Sequence, residues 1–184
     1  MAVQRGFSSV IFAILGILVV VVAVAVIAGV LVSEPPVKGI IDKSIELRKA
    51  TEPVERSNLI SALDDLVLQA DNQDVRDQWD RMMQCLAASC PDEAYLDMVL
   101  VTVAQFEDQI PESAVLINII ATAKYWGNPE HLLDFSKAMS MANEQIELLD
   151  NRKVEKLWQL VVECNNACPE KNDLYFELIG TIVQ

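Results

Sequence analysis

The sequence predicts an all-α chain: one N-terminal transmembrane helix, then an α-solenoid of about four helical hairpins in two tandem units of about 79 residues. Three observations carry this expectation. Residues 7–32 form an uncharged apolar run. No later stretch holds a period of two or an Asn-Gly hairpin turn, whereas helix-start signals recur throughout. A pattern of rare residue types then repeats at a spacing of 79. A compact helical bundle is the alternative arrangement of the same helices.

Phe7 to Val32 spans 26 residues, with Ser8 and Ser9 as its only polar side chains. A helix needs about 20 such residues to cross the hydrocarbon core, so this one crosses with some tilt. It exceeds the apolar core of about 7–15 residues in a secretory signal. Valine is a mediocre helix former in water, but lipid leaves the backbone only internal hydrogen bonds. Arg5 and the free amino group precede the run; Glu34, Lys38, Asp42 and Lys43 follow it. The positive-inside bias makes residues 1–6 a cytoplasmic stub and places the C-terminal body outside the cytoplasm, a single-pass topology in the cell membrane. The segment Arg5-Gly6-Phe7-Ser8-Ser9-Val10-Ile11 resembles a prepilin-type signal, where a basic residue and Gly precede a cleaved bond and a long apolar helix. That resemblance implies cleavage between Gly6 and Phe7 and packing of the helix inside a filament. Ile11 stands where bacterial pilins carry Glu, and an uncleaved signal anchor accounts for the same residues.

Ser33-Glu34-Pro35-Pro36 reads as a short stiff linker, because a Pro pair cannot continue a helix. Residues 37–184 are then the helical-repeat body. Glu52-Pro53 opens a helix running to about Ala70, and Asp71-Asn72 is a break with cap residues. A helix follows through Val75, Trp79, Met82/Met83 and Leu86. Cys90-Pro91-Asp92-Glu93 places Pro and two acids in the next first turn, where the helix dipole favours them. That helix carries Tyr95, Val99, Thr102 and Phe106 at helical spacing. Ile110-Pro111-Glu112-Ser113 opens another, and Gly127-Asn128-Pro129-Glu130 stops it and starts the next.

The break types then recur. At a shift of 79, Asp71-Asn72 meets Asp150-Asn151, Val75 meets Val154, Trp79 meets Trp158 and Cys85 meets Cys164. Cys90-Pro91 meets Cys168-Pro169 at 78, and Tyr95 meets Tyr175 at 80. The duplicated pattern falls in units of roughly 53–110 and 132–184, and Val75, Trp79, Tyr95, Val154, Trp158 and Tyr175 are its expected core. Hairpins of about 39 residues fit the lengths of αα repeats, about 34 for tetratricopeptide and 40–47 for HEAT units. The body therefore resembles a tetratricopeptide/HEAT-like helical-repeat domain in architecture, although the tetratricopeptide Trp-x2-Leu-Gly-x2-Tyr pattern is absent.

The four cysteines, Cys85, Cys90, Cys164 and Cys168, sit at helix ends in two close pairs. Local disulfides within each pair, one zinc site shared by all four, and reduced thiols acting as small apolar residues all fit such spacing. Retention of a pair in each unit and an exported body favour the disulfides.

The net charge is -13, and the residues after Val32 carry -14. That balance opposes binding to nucleic acid by phosphate neutralisation and docking on anionic lipid. The single histidine, His131, lies at an expected helix start and reads as a surface residue of its first turn. No Gly-x-Ser-x-Gly elbow, phosphate-cradling Gly loop or EF-hand pattern occurs. No catalytic residue, metal ligand or cofactor is assigned, and the chain is not expected to be an enzyme. The expected function is a membrane-anchored scaffold that binds a protein or peptide partner, in the manner of envelope assembly or export factors; a homo-oligomer is compatible with it. The alternatives are a pilin-like filament subunit and, more weakly, a thiol redox protein.

Overall fold

The structure, a computed structural model, describes residues 36–87, 89–164, 168 and 170–184. The chain divides into two units, Met1–Glu34 and Pro35–Gln184. The stub, the apolar run and the Gly6–Phe7 bond lie outside the described residues. These hold eight α-helices and no strand: α1 (Pro36–Lys49), α2 (Pro53–Ala70), α3 (Gln73–Leu86), α4 (Asp92–Gln105), α5 (Ser113–Tyr125), α6 (Leu132–Leu148), α7 (Arg152–Glu163) and α8 (Lys171–Val183). Two 3-10 turns, Glu107–Gln109 and Pro129–His131, precede α5 and α6. Among the described residues no helix is long and apolar enough to cross a membrane. Pro36, expected in the linker, lies within α1; proline is tolerated in a first turn, where its missing N–H has no intrahelical partner.

The repeat is visible in what each helix buries. Helix α2 buries Leu59, Leu63 and Val67, and α6 buries Ala138, Ala142 and Ile146, each 79 residues on. Helix α3 buries Val75, Gln78, Trp79 and Met82; α7 buries Val154, Leu157, Trp158 and Val161, again 79 on. These are i, i+3, i+4, i+7 stripes, the face that a helix must cover. Their neighbours Met83 and Val162, expected on the same stripe, are exposed at 39% and 45%, because one residue further turns the side chain out of it. At a shift of 80, Tyr95, Leu96, Met98, Val99 and Thr102 of α4 map onto Tyr175, Phe176, Leu178, Ile179 and Ile182 of α8, all buried.

The breaks match as well. Asp71 and Asp150 both end their helices in the left-handed region, each at φ 47°. Asn72 Oδ1 accepts from the Val75 N–H at 3.1 Å, and Asn151 Oδ1 from Lys153 and Val154 at 3.1 and 3.3 Å. Both asparagines thus satisfy first-turn donors that the helix itself leaves open.

Each half forms a cycle of neighbours. Helix α1 packs on α2 and α4, and α3 on α2 and α4; in the second half α5 packs on α6 and α8, and α7 on α6 and α8. The halves meet reciprocally, α4 against α5 and α1 against α8. A one-way stack of hairpins separates its first helix from its last. Here they touch, and a solenoid is not what these contacts establish. Lys38 Nζ donates to the Gln184 carbonyl at 3.2 Å, while Arg48 reaches Asp173, so α1 and α8 run antiparallel. Pro36, the two Asp-Asn breaks and Gln184 therefore share one end of the bundle. The α1–α2 and α5–α6 connections and the cysteines lie at the other.

Candidate functional site

The two halves differ most at one connection. Val37, Ile40, Ile41, Ser44, Ile45 and Leu47 are buried in α1. A shift of 75 carries the last five of these onto Val115, Leu116, Ile119, Ile120 and Thr122, the buried set of α5. The shift is 79 from α2 to α6, so the second half carries four extra residues between its first two helices. They fall within the stretch 125–131, which matches 50–52 of the first half. Trp126 is also the one tryptophan of three that the repeat does not duplicate.

The extra residues build a cleft. It measures about 450 Å³ and is lined by Tyr125, Trp126, Gly127, Asn128, Pro129, Leu132 and Phe135. Gly127 turns the chain at φ 75°, a left-handed conformation that a Cβ would strain. Asn128 Oδ1 accepts from the Glu130 N–H at 3.1 Å, and Pro129 opens the 3-10 turn behind it. Trp126 stands edge-on to Phe135, ring centres 5.3 Å apart, and to Tyr175 at 6.3 Å. Lys171 Nζ lies 5.0 Å over the Trp126 ring, a cation–π contact. Burial lowers the Lys171 pKa, and the nearby Glu93 carboxylate offsets part of that. Leu132 is 62% exposed on the lip of the cleft, and Leu133 beside it is 86% exposed.

His131 sits in the 3-10 turn before α6 rather than in its first α-helical turn. Its ring stacks on Tyr125 with centres 4.9 Å apart, and Nδ1 lies 3.2 Å from Asp134 Oδ2. The ring therefore braces the cleft wall from behind. Tyr175 is fully buried, and burial pushes its pKa well above the usual phenol range; its hydroxyl makes no hydrogen bond of normal geometry, since the nearby Thr122 hydroxyl donates to the Ile119 carbonyl.

A polar clamp at the same end joins the halves. Arg48 of α1 donates twice to Asp92 of α4, at 2.6 and 3.1 Å, and once to Asp173 of α8 at 2.6 Å. Its guanidinium lies 4.4 Å over the Phe176 ring. Asn172 Nδ2 donates to Asp92 Oδ2 at 2.7 Å, and these two residues are repeat equivalents 80 apart. The hydrogen bond from Arg48 holds the Asp92 carboxyl below its usual range, against the opposing effect of burial. Burial works against the Arg48 charge, but its bonds to Asp92 and Asp173 outweigh that and raise its pKa.

Sequence reading placed the cysteines and the repeat core, and the structure seats them as follows. Cys85 pairs with Cys90 and Cys164 with Cys168 at disulfide separation, with Cα–Cα distances of 4.9 and 5.3 Å. Val75, Trp79, Tyr95, Val154, Trp158 and Tyr175 are all buried. None of these except Tyr175 approaches the cleft through a ring contact. The cleft itself was missed, and the unduplicated Trp126 beside Gly127 was the signal that could have found it. No family model, curated protein or solved structure matches the chain.

Chemically the cleft presents mostly apolar surface. Its walls offer aromatic and aliphatic carbon, with Asn128, the Tyr125 hydroxyl and the Trp126 indole N–H as the polar side-chain groups among its lining residues. Among the described residues no three His, Cys, Asp or Glu side chains are grouped to hold a metal ion.

Proposed function

We propose that this chain is a membrane-anchored binding module. Residues 7–32 span the cell membrane once, residues 1–6 stay in the cytoplasm, and the body outside recruits a protein or peptide partner. On this reading the body is a duplicated four-helix unit closed on itself through α1 and α8, and its binding element is the cleft at Tyr125–Phe135. One observation carries the assignment of the cleft: the connection that is four residues longer in the second half, 125–131, supplies five of its seven lining residues. The buried positions of the two halves match without the extra residues, while Trp126 adds a contact to the core through Tyr175. Tethering raises the concentration of the cleft near membrane partners without any new contact. The disulfides suit an exported body.

The test is retention of a partner by the full chain in its native membrane. Site-specific photo-cross-linking from position 132 should trap one defined species. Trp126→Ala should abolish that product while membrane extraction stays near that of the parent and thermal unfolding, lowered by loss of the Phe135 and Tyr175 contacts, remains cooperative. The reading fails if the product persists in Trp126→Ala or arises equally from position 54, the exposed equivalent of Leu133 in the first half.

A second reading rests on Arg5-Gly6-Phe7: a filament subunit cleaved after Gly6. An intact-mass measurement separates the two. A chain starting at Phe7 supports the filament subunit, and one that retains residues 1–6 supports the signal anchor.

A further inference from the structure

We propose that the cleft takes a cationic peptide segment that inserts one bulky apolar side chain; this rests on the cleft being the binding element. The cleft, of about 450 Å³, has room for a bulky side chain and the peptide backbone on either side of it. Its walls, Trp126, Phe135, Leu132 and Pro129, reward apolar burial.

Charge selects what flanks that side chain. Glu130 lies between the lining residue Pro129 and His131, and Asp134 lies between the lining residues Leu132 and Phe135. Both carboxylates are exposed. Lys137, also exposed, follows Asp134 by three residues on the same helix. His131 Nδ1 lies 3.2 Å from Asp134 Oδ2. Lys171 is the cation nearest the aromatic wall, and its charge is engaged by the Trp126 face and by Glu93. Lys124 is held by Asp97. Glu130 and Asp134 thus place two exposed carboxylates at the rim of a body that carries -14 over the residues after Val32. A segment with Lys or Arg on both sides of its apolar residue meets this rim with complementary charge, and an acidic one meets repulsion. The contact of Lys171 with Trp126 also shows that this aromatic cluster tolerates an ammonium group at close range.

The experiment uses the full chain in nanodiscs of uncharged lipid and three synthetic octapeptides. One has a central Leu flanked by lysines, one the same Leu flanked by glutamates, and one a central Gly flanked by lysines. Titration calorimetry should give the Lys-Leu peptide an affinity at least about tenfold above the Glu-Leu peptide, as reversing the charge contacts with Glu130 and Asp134 implies. That ratio should shrink toward one in high salt, since the rim pairs are exposed. The Gly peptide should bind at least about tenfold more weakly, having no side chain to bury. The double variant Glu130→Lys with Asp134→Lys, which changes only exposed side chains, should reverse the preference. Equal binding of the Lys-Leu and Glu-Leu peptides overturns the charge selection and leaves the cleft as a binding element. Binding of the Gly peptide as tight as the Leu peptide overturns the inserted side chain. Absence of any binding that depends on Trp126 overturns both this inference and the reading beneath it.

Discussion

Trp158 Nε1 donates to Asn143 Oδ1 at 2.6 Å, and 79 residues earlier Trp79 Nε1 donates to Asp64 Oδ1 at 3.0 Å. Both indoles are buried, and each finds its acceptor fifteen residues upstream on the preceding helix. A buried indole N–H without an acceptor is costly, so the pair explains how tryptophan is accommodated at these two core positions. Asn143→Ala and Asp64→Ala should each lower stability by about 1–2 kcal/mol, the cost of orphaning a buried donor. Asp64→Asn keeps an acceptor oxygen and should stay within about 0.5 kcal/mol of the parent. Urea unfolding of the full chain in nanodiscs checks all three. Losses that differ widely between the two halves would show that the two bonds do not do equivalent work.

The fold was legible where the signal was local. Glu52-Pro53, Asp71-Asn72 and Asp150-Asn151 mark helix ends through their own backbone chemistry, and the structure ends its helices there. Tryptophan and cysteine are rare enough for their spacing of 79 to stand out. Asp64 and Asn143 share that spacing but are common residues of different charge, so their equivalence appears only once both indoles are seen to reach them. The closure of α1 on α8 was not legible, because repeat spacing defines the unit and says nothing of how two units pack. Nor was the α1–α5 equivalence, since its shift of 75 carries no rare residue to mark it. The four-residue difference that builds the cleft stayed hidden with it.

Arg48→Met tests the clamp. It leaves Asp92 facing Asp173 without the cation that joins α1, α4 and α8. Breaking a fully buried pair costs about 3–5 kcal/mol; with Asp173 largely exposed, about 2–3 kcal/mol is expected here. The pH dependence has a definite sign. Asp92 has a folded pKa below its unfolded value, so its contribution is complete above about pH 4 and drains as pH falls through the folded value. The parent should therefore lose stability on acidification below about pH 4, and Arg48→Met should show a flatter acid limb. An equal acid slope in both proteins would place the linkage in other carboxylates.

The cysteine pairs give a redox prediction. Each closes a short loop, with sequence separations of 5 and 4. Chain entropy then assigns about 2 kcal/mol to each link. Non-reducing peptide mapping should recover Cys85 with Cys90 and Cys164 with Cys168. Reduction should lower the unfolding midpoint without removing helical circular dichroism at 25 °C, because the buried faces of α3, α4, α7 and α8 do not depend on the sulfurs. Recovery of free thiols, or of a Cys85–Cys164 type of link, would return the shared-metal and free-thiol alternatives to consideration.

Asp71 and Asp150 offer a prediction of opposite sign, a gain of stability. Both hold φ at 47°, where an L side chain costs about 1–2 kcal/mol and glycine costs nothing sterically. Glycine repays part of this through the entropy of the unfolded chain, about 0.5–1 kcal/mol. Asp150→Gly should therefore stabilise by about 0.5–1 kcal/mol, the difference between those effects. Asp71→Gly should gain less, since Asp71 Oδ1 also accepts from Arg76 at 2.7 Å. That bond is exposed at Asp71, 88% of whose side chain is open to solvent, and pairs of this kind contribute about 0.2–1 kcal/mol. The two substitutions are thus expected to rank Asp150→Gly above Asp71→Gly, a difference that a matched pair of urea titrations can read. If Asp71→Gly gains as much as Asp150→Gly, the Arg76 contact contributes nothing. If both substitutions destabilise, the left-handed turns are not strained by their side chains, and each aspartate is held there by an interaction stronger than the steric cost.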